Sequence, residues 1–141
     1  MATLHDKSEA IKLLLRPYRV EEYGVPTWIL IHVEVKQETT VLLATTVSTT
    51  RDDLAELRKS LQDVANGYSS GFTINTTDDN LIIEVHRASS AGDFFVGIWV
   101  GEPYELMKGY RIAVQGEDLA CFSQELREDE SMVLPPSRLP S

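Results

Sequence analysis

The residue spacing with the most chemical promise is a pair of mirrored triplets, His32-Val33-Glu34 and Glu84-Val85-His86. An i, i+2 spacing on a β-strand puts both polar side chains on one face. Two such strands side by side would offer His32, Glu34, Glu84 and His86 as four ligands for zinc or another transition metal. A water-facing strand carries the same residue types in alternation with Val and Ile. That plainer reading is the favoured one, so no metal is assigned and no cofactor is expected.

The other candidates for chemistry have local explanations. His5 lies in a polar N-terminal stretch and reads as solvated. The single cysteine, Cys121, can form neither an intramolecular disulfide nor a cysteine-rich zinc site. It sits beside the apolar stripe of a helical segment and reads as a packing residue, not as a nucleophile activated by a histidine. The acidic pairs Asp52/Asp53, Asp78/Asp79 and Glu117/Asp118 fall where helix starts and turns favour carboxylates. No glycine-rich nucleotide loop, H-E-x-x-H, G-x-S-x-G or paired C-x-x-C occurs. No catalytic residue is assigned, and the chain is read as a non-enzyme.

One set of apolar residues lacks a local explanation. In Asp93 to Val100, alternation puts Phe94, Val96, Ile98 and Val100 on one face and Phe95 and Trp99 on the other, with Gly97 between them. Tyr104 and Met107 follow in the next loop. If no helix covers this face, Phe95, Trp99, Tyr104 and Met107 are the residue types around which protein interfaces are built.

The elements that would position these residues follow from periodicity. Asp52 to Leu61 and Glu117 to Leu126 are near copies 65 positions apart, each an acidic pair, then Leu-Ala, then apolar residues on one helical face. Each follows an extended segment, so the chain carries two strand-then-helix units. Trp28 to Lys36 and Val41 to Ser48 form a hairpin. Phe72 to Thr76 and Leu81 to Arg87 form another, with strands at Asp93 to Val100 and Tyr110 to Val114. Ile11 to Arg16 is read as a strand ended by Pro17, with a loop as far as Pro26. Thr50 or Asp52 caps the first helix, Leu54, Leu57, Leu61 and Val64 form its buried stripe, and Asn66-Gly67 ends it. Runs of strands with two helices predict one α+β domain, an antiparallel sheet layered on two helices, over residues 1–128. Residues 129–141, acidic and then proline-rich, are read as a flexible tail.

At 141 residues, 43% hydrophobic and 25% charged, the composition is that of a globular domain. No stretch approaches the roughly 20 apolar residues that cross a bilayer, and the first ten residues lack the pattern of a secretory signal. A cytoplasmic location is expected. Thirteen basic against 22 acidic residues give a net charge of −9, a field that opposes nucleic-acid backbones and anionic membranes and would attract a basic partner.

The succession of segments resembles the WapI-type immunity proteins of bacterial polymorphic-toxin systems. The resembling residues are Trp28 to Val35, Arg51 to Leu61, Phe72-Thr-Ile, Asp79 to Val85, and Tyr110 to Val114 ahead of Glu117 to Phe122. The resemblance implies a protein that binds and neutralises a cognate toxin, or a descendant of that family with another partner, and it supplies no catalytic residue. The charge and the aromatic patch add that the protein would hold a basic toxin domain without catalysis. The alternatives are a small metal-binding protein or metal-dependent enzyme using His32, Glu34, Glu84 and His86, or a housekeeping interaction module. The expected partner is a protein, with no nucleic acid and no membrane.

Overall fold

The computed structural model describes residues 2–8, 10–88, 92–101 and 108–134. The elements run β1 (Ala2–His5), β2 (Ile11–Glu22), β3 (Trp28–Gln37), β4 (Thr40–Thr50) and α1 (Arg51–Ala65), then β5 (Gly71–Asn75), β6 (Leu81–Arg87), β7 (Asp93–Val100), β8 (Lys108–Gln115) and α2 (Gly116–Val133). The strands form two antiparallel meanders, sheet A in the order β1-β2-β3-β4 and sheet B in the order β5-β6-β7-β8. The fold is α+β, as the periodicity predicts. The one layered sheet is resolved into two, each followed by its own helix.

Strict alternation decides which face of each sheet is buried. Leu13 and Leu15, Ile29 to Val35 at every second residue, Leu81, Ile83 and Val85, and Phe94 to Val100 at every second residue all point inward. They join the helical stripes Leu54, Leu57, Leu61, Val64 and Leu119, Phe122, Leu126 in one apolar core. At about 25 cal/mol per Å² of apolar surface this burial is the main force holding sheets to helices.

The helices start alike. Thr50 Oγ1 accepts the Asp53 N–H at 3.1 Å and Asp53 Oδ2 accepts the Thr50 N–H at 3.3 Å, a reciprocal capping box. In α2, Asp118 Oδ2 accepts the Gln115 N–H at 3.0 Å. The helices meet at matching positions, Ser123 Oγ donating to the Arg58 carbonyl at 3.1 Å. Beside this crossing Arg58 Nε lies 3.0 Å from Glu130 Oε2, whose side chain is 8% exposed.

Hydrogen bonds also tie the halves together. Asp6 Oδ1 accepts the Ala113 N–H at 2.8 Å, the Lys7 N–H donates to the Ala113 carbonyl at 2.9 Å, and Tyr110 Oη donates to the Leu42 carbonyl at 3.1 Å. Asp53 adds to its cap the Thr77 N–H at 3.0 Å and hydroxyl at 2.8 Å. Burial raises the Asp53 carboxyl, but the bonds from Thr77 and Thr50 outweigh it and hold the group below the usual carboxylate range.

Three boundaries differ from the periodicity. The N-terminal stretch is β1, because Ala2 and Leu4 are buried against β2. β2 continues through Pro17, where a register shift between Pro17 and Arg19 absorbs the missing N–H. α2 runs to Val133, so residues 129–133 are helical and Glu130 is buried. Residues 135–141 of the expected tail lie outside the described residues.

Candidate binding faces of the two sheets

Because each sheet buries one face, the other is turned to water, and the residues read from sequence as candidate chemistry sit there. On sheet A the register aligns Lys12 with Lys36, Leu14 with Glu34 and Ala44, and Arg16 with His32 and Thr46. On sheet B it aligns Ile82 with Trp99 and Gly109, Glu84 with Gly97 and Arg111, and His86 with Phe95 and Ala113.

The four-ligand metal set is not assembled. His32 and Glu34 are 3.1 Å apart on sheet A, while Glu84 and His86 are 3.4 Å apart on sheet B. The alternation placed each pair on one face but carried no information on which strands adjoin, and β3 and β6 lie in different sheets. No group of three or more potential metal ligands occurs among the described residues. Glu34 is engaged by His32 and by Lys36 Nζ at 3.1 Å, and these hydrogen bonds hold its carboxyl below the ordinary range. Glu84 pairs also with Arg111, Nη2 to Oε1 3.4 Å.

Cys121 is exposed, not packed. It lines a surface cleft of about 310 Å³ together with His5, and no hydrogen bond joins the two.

The aromatic candidates fare differently. Phe95 is 40% exposed on the outer face of sheet B, with the Arg111 guanidinium 5.8 Å from its ring centroid. Trp99 lies flat on the sheet. A Cβ built on Gly97 would stand 2.4 Å from its ring, and one built on Gly109 would stand 2.1 Å from Nε1. Two glycines on neighbouring strands thus make a bed for the indole. Trp99 remains half-buried. Tyr104 and Met107 lie outside the described residues.

Sequence reasoning passed over Arg111 and the cations of sheet A. The signal was present in the alternation Lys12, Leu14, Arg16 opposite Leu13 and Leu15, but Ile11 to Arg16 reads only as a strand ended by Pro17. No helix of the described residues is long and apolar enough to cross a membrane.

No family model matches the sequence, and no curated protein matches it. Solved structures do resemble the fold. A plant transcriptional regulator, PBF-2, is 10% identical with a TM-score of 0.51, covering 94% of this chain and 80% of its own. WHY1 from Arabidopsis thaliana is 8% identical with a TM-score of 0.54, covering 94% and 89%. The MRP1/MRP2 structures from Trypanosoma brucei are 12% identical with a TM-score of 0.50, covering 96% and 86%. At these identities the likeness is one of fold. It overturns the toxin-neutralising expectation, since the architecture is shared with a transcriptional regulator and none of these neighbours is described as an immunity protein. The exclusion of nucleic acid as a partner falls with it. That exclusion rested on charge summed along the sequence, which does not say on which surfaces the charges fall. In fact α2 alone carries six acidic residues against the single basic Arg127, whereas one hollow on the outer face of sheet A is lined by Lys12, Arg16 and Lys36 against Glu34.

Proposed function

We propose that this protein is a non-catalytic binder of single-stranded nucleic acid, and that the outer face of sheet B is where unpaired bases stack. The observation that carries the reading is Trp99 spread flat over Gly97 and Gly109 on the same open face as Phe95. Base-on-aromatic stacking is indifferent to sequence because every base has a π-face, and it requires bases free of a duplex. Arg111, poised over Phe95, supplies a cation at the platform for the adjoining phosphate. The acidic α2 keeps its own surface from holding polyanions indiscriminately. One fold neighbour is described as a plant transcriptional regulator, a role exercised at nucleic acid, and this supports the reading.

The test is fluorescence anisotropy with labelled oligothymidylate and oligouridylate of about 12 nucleotides, against a duplex of the same length. The single strands should bind and the duplex should not. Trp99→Ala should weaken binding by about tenfold to 100-fold, since stacking is worth about 1–3 kcal/mol per base. Thermal unfolding of the same variant separates loss of the platform from loss of the fold. Equal affinity of Trp99→Ala and wild type for the single strands would remove sheet B as the site.

A further inference from the structure

Three cations on the outer face of sheet A converge on one recess. Lys12, Leu14 and Arg16 of β2 and His32, Glu34 and Lys36 of β3 line a hollow of about 310 Å³. Glu34 is already committed to His32 and Lys36, both at 3.1 Å. No ion pair or hydrogen bond engages the side chains of Lys12 and Arg16 among the described residues. Lys12, Arg16 and Lys36 against Glu34 make this a cationic recess in a protein whose net charge is −9.

The recess is not isolated. Arg16 also lines a second cleft of about 490 Å³ at the edge of β2, walled by Tyr18, Arg19 and Tyr23 on one side and by Asp129 and Met132 of α2 on the other. Tyr18 is 43% and Tyr23 54% exposed. From the recess to the cleft the surface therefore passes from the amine of Lys12 to the guanidinium of Arg16 to the phenol of Tyr18. At about 3.3 Å per residue, Lys12 to Tyr18 spans roughly 20 Å. An extended single strand presents the same alternation of anionic phosphates and flat bases.

We infer that the recess on the outer face of sheet A, with the cleft that Arg16 joins to it at the edge of β2, is a second nucleic-acid site, in which Lys12, Arg16 and Lys36 grip the phosphodiester backbone of a single strand and Tyr18 and Tyr23, in the adjoining cleft, receive its bases. It rests on the proposed function but uses the other sheet and a different chemistry. Sheet B chiefly stacks; sheet A chiefly binds charge. Glu34 sets the geometry by holding Lys36 and His32 in place, and its carboxylate keeps the recess from being a site of uniform positive charge.

The two sites give different salt signatures. Each phosphate contact on a single strand contributes about 0.7 to the slope of log affinity against log salt. Measured by anisotropy on oligothymidylate between about 50 and 200 mM salt, the Lys12→Gln/Arg16→Gln/Lys36→Gln variant should bind roughly tenfold to 100-fold more weakly at the low end, with a slope shallower by about 2. Tyr18→Ala should weaken binding while leaving the slope unchanged. Trp99→Ala, run alongside, should also leave the slope unchanged. An unaltered affinity and slope in the triple variant, with Trp99→Ala still impaired, would overturn the sheet A site and leave the stacking site standing. A shallower slope in the triple variant with no effect of Trp99→Ala would keep sheet A and overturn the sheet B reading. Equal losses on a duplex of the same length would make the recess a general polyanion surface and overturn the single-strand assignment.

Discussion

The first half of the chain, β1 to α1, and the second, β5 to α2, bury similar surfaces and expose dissimilar ones. Following the 65-residue offset of the helices, β3 superposes on β7 and β4 on β8 in register, so that Ile31, Val33 and Val35 of one correspond to Val96, Ile98 and Val100 of the other, all buried. Leu54, Leu57 and Leu61 likewise correspond to Leu119, Phe122 and Leu126. On the outer faces the match ends. His32 stands where β7 has Gly97, Glu34 where it has Trp99, and Thr46 where β8 has Arg111. The inward positions admit little but apolar residues of fitting volume, whereas the outward ones are released from packing. Function is therefore sought on the faces where the halves disagree.

The halves also disagree at the helix crossing. Arg58 of α1 corresponds to Ser123 of α2, and only Arg58 reaches Glu130, across the helix crossing. Burial pushes the Glu130 carboxyl above its usual range, more strongly than Arg58, Arg51 and Arg127 lower it. Breaking this pair should give the largest effect on stability. Arg58→Met or Glu130→Leu alone should cost about 3 kcal/mol in urea unfolding, and the double variant should recover most of the loss, because a buried ion pair is weak as a pair and costly when halved. Strict additivity would mean that the two are uncoupled. The pH sign follows from a raised folded-state value: the folded protein takes the proton more readily, so this group favours folding increasingly as pH falls from the folded value towards the ordinary one. Glu130→Leu should lack that increment.

The next effect would convert one face towards the other. Gly97→His puts on sheet B the residue that sheet A carries, and its Cβ cannot coexist with the indole at 2.4 Å. The ring must lift or leave. Overpacking of this kind costs about 1–3 kcal/mol, and single-strand affinity should fall as far as in Trp99→Ala. A protein that keeps both its unfolding midpoint and its affinity would show that the flat indole is not what binds.

How much of this was legible in the sequence depends on whether the signal was local. Alternation around Trp28 to Lys36 and Asp93 to Val100 and the 3.6 period of Leu54, Leu57 and Leu61 are local, and they specified strands, helices and inward faces correctly. Which strands adjoin is not local, so His32/Glu34 and Glu84/His86 could be proposed as one site although they belong to two sheets. β1 escaped notice because two buried residues, Ala2 and Leu4, give too short a period. Pro17 misled because proline ordinarily ends a strand, and only the register shift that accommodates it lets β2 continue. Gly97 and Gly109 read as ordinary strand and loop glycines. Their purpose lies in a side chain on the neighbouring strand or two residues away. Net charge misled in a different way, by averaging over surfaces that the fold keeps apart.

The helix caps permit a finer comparison. Asp53 and Asp118 occupy the same position in their helices, but Asp53 alone also holds the N–H and hydroxyl of Thr77. Asp118→Asn should cost about 0.5–1 kcal/mol, the ordinary worth of a cap, and Asp53→Asn about twice that. For Asp53 the folded-state value is depressed, so its contribution is present above the ordinary carboxylate range and is lost as pH falls through the folded value. The difference between wild type and Asp53→Asn should therefore shrink in acid. Equal costs at the two caps would mean that the Thr77 contacts add nothing to the fold.

The smallest effect on stability belongs to Glu34, and it bears most directly on why the faces differ. Its bonds to His32 and Lys36 are made at the surface, where an ion pair is worth about 0–1 kcal/mol. Glu34→Gln should shift the unfolding midpoint hardly at all. If sheet A meets a polyanion, the same change should strengthen oligonucleotide binding, because it removes the only carboxylate among the six residues lining the recess and frees Lys36. An ordering role pulls the other way: were Glu34 chiefly needed to hold Lys36 in position, Gln, which still accepts a hydrogen bond, would leave affinity unchanged while Glu34→Ala would lower it. The two variants thus separate the charge of Glu34 from its geometry, and a face on which neither alters binding is one that no nucleic acid touches.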